Sequence, residues 1–134
     1  MRRAGFIGCV VLLAAALVMA ANPHFIQGPF VSNGGGQLTV SGTIAGLGNQ
    51  NVTIRLTATA TTTCTNKGGN PPPGQTETLS SELSNLRVEN GMLTFSISAQ
   101  ASNPCPDGMR PNTTFTNGVI TVIQGGQVVL QQPV

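Results

Sequence analysis

The sequence predicts an all-β fold, a single antiparallel sandwich of about seven strands with an immunoglobulin-like or fibronectin-like layout and one disulfide. Three observations carry this. Past residue 21, no stretch repeats apolar residues at helical spacing, whereas alternation of apolar and polar residues is common. Short alternating runs are separated by Gly-, Asn- and Pro-containing turns at the spacing of sandwich strands. Two cysteines, Cys64 and Cys105, remain once the N-terminal segment is set aside.

That segment begins Met1-Arg2-Arg3, continues apolar or small from Ala4 to Ala21, and passes through Val18-Met19-Ala20. It reads as a secretory signal peptide over residues 1–20, with one domain over 21–134. The alternative is an uncleaved anchor, since the apolar run approaches spanning length. Asn22-Pro23 directly behind the site suits a cut followed by a turn. Cys9 stands too early in the run for a lipidation site and leaves with the signal.

The strands follow in order. Residues 25–31 form a weak first strand, interrupted by Gly28-Pro29 and so placed at an edge. A Gly-rich turn at 32–36 leads to the second strand, residues 38–44, with Leu38, Val40 and Ile44 on one face. After a turn at 46–50 comes the clearest strand of the chain. Val52, Ile54, Leu56, Ala58 and Ala60 point inward and Thr53, Arg55, Thr57 and Thr59 outward. It meets Cys64 and passes into an irregular loop with Pro71-Pro72-Pro73. A fourth strand lies within 78–89, with a bulge or break where the apolar positions change face between Leu83 and Leu86.

Asn90-Gly91 is the strongest hairpin signal. A two-residue turn there sets Val88 opposite Leu93 and Leu86 opposite Phe95, all on one face, continued by Ile97 and Ala99. A loop over 102–112 carries Cys105, and residues 113–115 re-enter a strand. Asn117-Gly118 marks a turn or a bulge. The last hairpin, turning at Gly125-Gly126, is apolar on both faces. Val119, Ile123, Val128 and Leu130 share one face, and Ile120, Val122 and Val129 the other. Its inward face is open, and a spare apolar face suits another strand or a second copy in a homodimer.

If consecutive strands alternate direction, the loops after the first, third and fifth strands share one end. The Cys64 and Cys105 loops then meet, and the disulfide joins loop to loop. In an oxidising compartment two cysteines in one small domain most simply pair, the alternative being two free thiols. That end gathers the candidate binding residues Lys67, Asn70, Pro72, Asp107 and Arg110.

Charge and composition narrow the function. Beyond the signal, Arg55, Lys67, Arg87 and Arg110 balance Glu77, Glu82, Glu89 and Asp107. A neutral chain gains no counterion release on nucleic acid and no attraction to anionic lipid. No nucleic acid partner is expected, and no membrane association after cleavage. Trp and Tyr are absent, which removes the usual stacking platforms for bases and sugars. His24 is the only histidine, and two cysteines and one histidine do not fill a zinc site. Pro23 lacks the amide nitrogen an N-terminal copper clamp deprotonates. Glu77, Glu82 and Glu89 with Arg87 read as a solvated strand face rather than a glycosidase pair or calcium site. No catalytic constellation, metal or cofactor is therefore expected.

The outward threonines Thr53, Thr57, Thr59 and Thr61, the last three two apart, would form a flat row of hydroxyls and methyls, the kind of surface that binds ordered water or ice. Threonine's preference for strands is the plainer account. Asn51-Val52-Thr53 and Asn112-Thr113-Thr114 match the N-glycosylation sequon.

Asn22-Pro23-His24-Phe25 behind the signal, Gly42-Thr43-Ile44-Ala45-Gly46-Leu47-Gly48-Asn49, and Cys64 followed by Asn66, Gly68-Gly69-Asn70 and Pro72-Pro73-Gly74-Gln75 resemble an uncharacterised family of small secreted two-cysteine β-proteins, bacterial and fungal. The resemblance covers most of the chain past the signal and continues through Asn103-Pro104-Cys105-Pro106. It implies secretion, one domain and Cys64–Cys105 pairing, and carries over no catalytic residue. Here Asp107-Gly108-Met109-Arg110 follows the second cysteine where the family has Asn-Trp, so a binding role for that aromatic does not transfer.

The expected function is that of a secreted, non-catalytic sandwich that binds a protein or cell-surface component, or coats a surface, through its disulfide-tied loops. The alternative is an inhibitor or effector acting on a foreign protein through the 66–75 loop.

Overall fold

Alternation along Val52–Thr65 organises the molecule. In the computed structural model, which describes residues 22–65 and 74–134, Val52, Ile54, Leu56, Ala58 and Ala60 are buried, and Thr53, Arg55, Thr57 and Thr59 point outward, as the pattern predicts. The strand runs past Ala60, so that Thr62 and Cys64 also face inward. The expected signal segment and Lys67, Asn70 and Pro72 lie outside the described residues.

Seven strands result: β1 (His24–Gly34), β2 (Gln37–Ala45), β3 (Val52–Thr65), β4 (Gln75–Leu86), β5 (Leu93–Gln100), β6 (Arg110–Gln124) and β7 (Gln127–Pro133). They form two antiparallel sheets, ordered β1-β2-β5 and β4-β3-β6-β7. In a constant-type immunoglobulin domain the fourth strand joins the sheet of the first two. Here it stays beside β3, so the chain, which first crosses between sheets after β2, returns to the first sheet only after β4 and crosses again after β5.

The sheets close on Val40 and Ile44 from β2, Ile54 and Leu56 from β3, Phe95 and Ile97 from β5, and Ile120 and Val122 from β6. Each such side chain contributes about 1.5–3 kcal/mol when fully buried. Phe25 reaches this core from the edge, its ring 6.0 Å from that of Phe95. Gly42 admits it, since a Cβ there would lie 2.7 Å from the Gln27 carbonyl oxygen and 3.1 Å from the Phe25 ring.

β1 lies at an edge, with its register shifted around a cis Gly28-Pro29 bond. Residues 32–34 belong to β1 rather than to the turn, which narrows to Gly35-Gly36, both at positive φ as a tight hairpin requires. The bulge expected between Leu83 and Leu86 is present: Leu83 pairs with Ile54 and Leu86 with Val52, with Asn85 at φ 55° between them. Asn117-Gly118 is a bulge inside β6, not a turn.

Two expectations need correction. Asn90-Gly91 does form its turn, with Glu89 and Met92 exchanging both backbone hydrogen bonds at 3.0 and 2.9 Å. The flanking strands then part, β4 pairing with β3 and β5 with β2, so Leu86 and Phe95 are not cross-strand partners. In the last hairpin Val128 and Leu130 do not share a face. A register shift pairs Ile123 with Val128 and Val122 with Leu130, leaving Val129 as the extra residue. Ile120 and Val122 are the inward residues, and Val128 points out at 58% exposure.

The end formed by the 46–50 turn is plugged by Leu47, which is 1% exposed. Its N–H donates to the Gly91 carbonyl at 2.9 Å, and Gln124 Nε2 donates to the carbonyls of Leu47 and Gln50 at 2.6 and 2.8 Å. The other end holds the disulfide.

Candidate functional site: the disulfide-tied end

Strand direction brings the β1–β2 turn, the end of β3 and the loop after β5 to this end. Cys64 lies within β3, buried, opposite Pro111 of β6. Cys105 lies in the β5–β6 loop, and the two are bonded with Cα atoms 5.5 Å apart. The bridge thus ties a strand to a loop, not loop to loop, because β3 extends beyond its alternating apolar run.

Hydrogen bonds fasten the rest. Ala101 N–H donates to the Gly36 carbonyl at 2.8 Å, and Gln100 Nε2 donates to the Gly35 and Gly36 carbonyls at 3.2 Å each. The Glu77 carboxylate on β4 accepts from Ser102 N–H at 2.6 Å and Ser102 Oγ at 3.2 Å. Within the loop, Asn103 Oδ1 accepts the Cys105 N–H at 3.0 Å, an Asx-type turn leading into the bridge. Met109 N–H closes a further turn on the Pro106 carbonyl. None of these partners was readable from the sequence except through strand parity, since each contact joins residues distant in the chain or depends on a turn's local geometry.

Between the turn and the loop runs a groove of about 500 Å³, with Asn33, Gln100, Asn103, Asn112, Thr113 and Phe115 in its walls. Among the described residues no wall residue is charged, so they suit a neutral polar group better than an ion.

Of the candidate binding residues, Asp107 is exposed in the β5–β6 loop. Arg110 is exposed too, but as the first residue of β6, opposite Thr65, rather than in the loop. Lys67, Asn70 and Pro72 fall outside the described residues.

The remaining chemistry-bearing residues are dispersed. His24, exposed, starts β1 opposite Ala45, and its Nδ1 lies 2.6 Å from the Asn22 carbonyl oxygen. Glu77 and Glu82 lie on opposite faces of β4: Glu77 pairs with inward Ala60, whereas Glu82 accepts from outward Arg55 at 2.9 Å. Among the described residues, no three His, Cys, Asp or Glu side chains gather to hold a metal. Asn51 and Asn112, the sequon asparagines, are both exposed.

No known family matches the chain, and no solved structure matches it. A curated relative is complement factor H from Bos taurus, 34% identical over 71 residues. The match takes in 49% of this chain and 6% of that protein, so the chain corresponds to a small part of the relative's length.

Proposed function

We propose that this chain is an extracellular, non-catalytic binding domain that presents the disulfide-tied end of its sandwich to a protein or cell-surface component. The observation that supports it most is the fastening itself. One disulfide, the Glu77–Ser102 bonds and the Gln100 and Ala101 bonds to the Gly35-Gly36 turn hold four chain segments, the β1–β2 turn, the end of β3, the start of β4 and the β5–β6 loop, as one surface. A surface ordered before contact loses less conformational entropy on binding.

The disulfide agrees with an oxidising compartment, as does a signal peptide over residues 1–20. The resemblance to small secreted two-cysteine β-proteins supports the same placement, and the partial likeness to complement factor H accords with it. Glu77 and Glu82 are engaged by Ser102 and Arg55, which favours a structural use for both. Val128, outward and exposed on the last hairpin, is where a second copy would dock if the protein dimerises.

Affinity capture from the extracellular medium tests the reading, comparing wild type with a variant shortened over residues 66–74 and with Asp107→Ala/Arg110→Ala. Loss of a captured partner by either variant is expected. Retention of every partner by both contradicts the proposal.

A further inference from the structure

The outer face of the four-stranded sheet carries a two-dimensional grid of threonines. Thr59 and Thr61 of β3 point outward because Ala58 and Ala60 point into the core. The register sets Thr78 of β4 and Thr116 of β6 on either side of Thr59, and Thr76 and Thr114 on either side of Thr61. Six threonines thus stand in two rows of three. Thr57 beside Ser80 extends the grid one way, and Thr63 the other. The flanking threonines are exposed and the central ones half-buried, as a flat face requires.

Among the described residues no charged side chain enters the field, and the Arg55–Glu82 ion pair marks its border next to Thr57 and Ser80. At the far corner, Gly74 offers no side chain to cover Thr61 and Thr63, whose methyls lie 3.4 and 3.2 Å from where its Cβ would be.

Strands stand about 4.8 Å apart, and alternate residues along a strand about 6.8 Å apart, so these side chains repeat on a regular two-dimensional net. Each threonine offers a hydroxyl that both donates and accepts, beside a methyl, with a stiff χ1 that keeps both in place. A rigid net of this kind places water oxygens at regular intervals, on the length scale of the faces of crystalline ice.

The outer face of the other sheet provides a contrast. It too is rich in hydroxyls, but they bond to one another across strands, Thr39 with Ser98 at 2.9 Å and Thr43 with Thr94 at 3.0 Å. Phe30, 60% exposed, also stands on that face. Within the threonine grid, among the described residues, the one hydroxyl pair within reach is Thr61–Thr76, at a long 3.4 Å. At the margin Thr63 Oγ1 donates to the Asn112 carbonyl at 3.4 Å, and the hydroxyls of the two central rows are available to an outside lattice. A neutral, flat, repeating face matches a neutral, flat, repeating partner. Nucleic acid or an anionic bilayer would call for cations that the described residues of the face do not supply, and sugar rings for aromatics that they do not supply.

We propose that this face binds ice, with the threonine hydroxyls and methyls ordering the first water layer into register with the crystal. The full oxidised protein, fluorescently labelled, is offered to a growing hemisphere of polycrystalline ice, and recrystallisation inhibition is scored in parallel. Wild type is expected to enter the ice and slow recrystallisation. Thr76→Lys/Thr114→Lys is expected to lose both activities, and Thr39→Lys on the other sheet to keep them. Thermal unfolding confirms that the variants fold. Should the first pair not fold, Thr78→Lys/Thr116→Lys reads the other row. Exclusion of wild type from ice, adsorption to crystalline cellulose or chitin without adsorption to ice, or unchanged adsorption of a folded lysine variant overturns the proposal.

Discussion

Ser102 binds the Glu77 carboxylate twice, through its backbone N–H at 2.6 Å and its hydroxyl at 3.2 Å. The contact ties the loop of the disulfide to β4, the edge strand of the four-stranded sheet, and so links the two sheets at the end where the bridge lies. Glu77→Ala should cost about 1 kcal/mol in denaturant unfolding and speed exchange of the Ser102 amide, as for a net hydrogen bond near the surface. Arg55→Ala removes a geometrically good ion pair, yet its partners are 43% and 41% exposed. Solvent screening holds its loss to about 0.5 kcal/mol or less. Equal costs for the two substitutions would contradict this ranking.

The bridge closes a loop with a sequence separation of 41 residues. In the chain-entropy model, Cys64→Ser/Cys105→Ser then loses on the order of 4 kcal/mol. Equilibrium unfolding of the wild type and the double variant measures the difference. Mass spectrometry of the unreduced protein checks the bridge itself and whether the expected cut behind residue 20 is made.

Gly42 and Gly34 should behave oppositely. A methyl at Gly42 meets backbone oxygen at 2.7 Å and the Phe25 ring at 3.1 Å. Gly42→Ala therefore displaces β1 from β2 and should cost about 1–3 kcal/mol, the usual penalty of overpacking. At Gly34 nothing lies within 4 Å. Gly34→Ala should change stability by about 0.5 kcal/mol or less. Thermal melts of both variants provide the comparison.

What the sequence revealed follows from how local each feature is. The faces of β3 were legible residue by residue because a strand buried on one side alternates without exception from Val52 to Ala60. The bulges at Ser84-Asn85 and Asn117-Gly118 were legible because each shifts the apolar phase or carries a residue suited to positive φ. Asn90-Gly91 showed its turn but not its strand partners. Val88 and Leu93 face the core whether β4 and β5 pair or part, so the pattern is the same in both arrangements. The extra residue at Val129 was hidden because its neighbours Val128 and Leu130 are both apolar, and a slip within such a run leaves no mark. Strand parity alone located the tied end. Glu77 read as a solvated acid because its partner lies 25 positions away. The threonine grid was visible as one row on β3. Its rows on β4 and β6 needed the register, which no single strand contains.

Photocrosslinking from a residue at the tied end decides whether that surface meets a partner. A benzophenone side chain is placed at Asp107, exposed in the fastened loop, and in a second protein at Ser84, exposed on β4 near the opposite end of the sandwich. Each is irradiated with extracellular material from the source cells. A discrete crosslinked partner is expected from Asp107 and none from Ser84. The same partner captured from Ser84, with none from Asp107, would contradict the binding role proposed for the tied end.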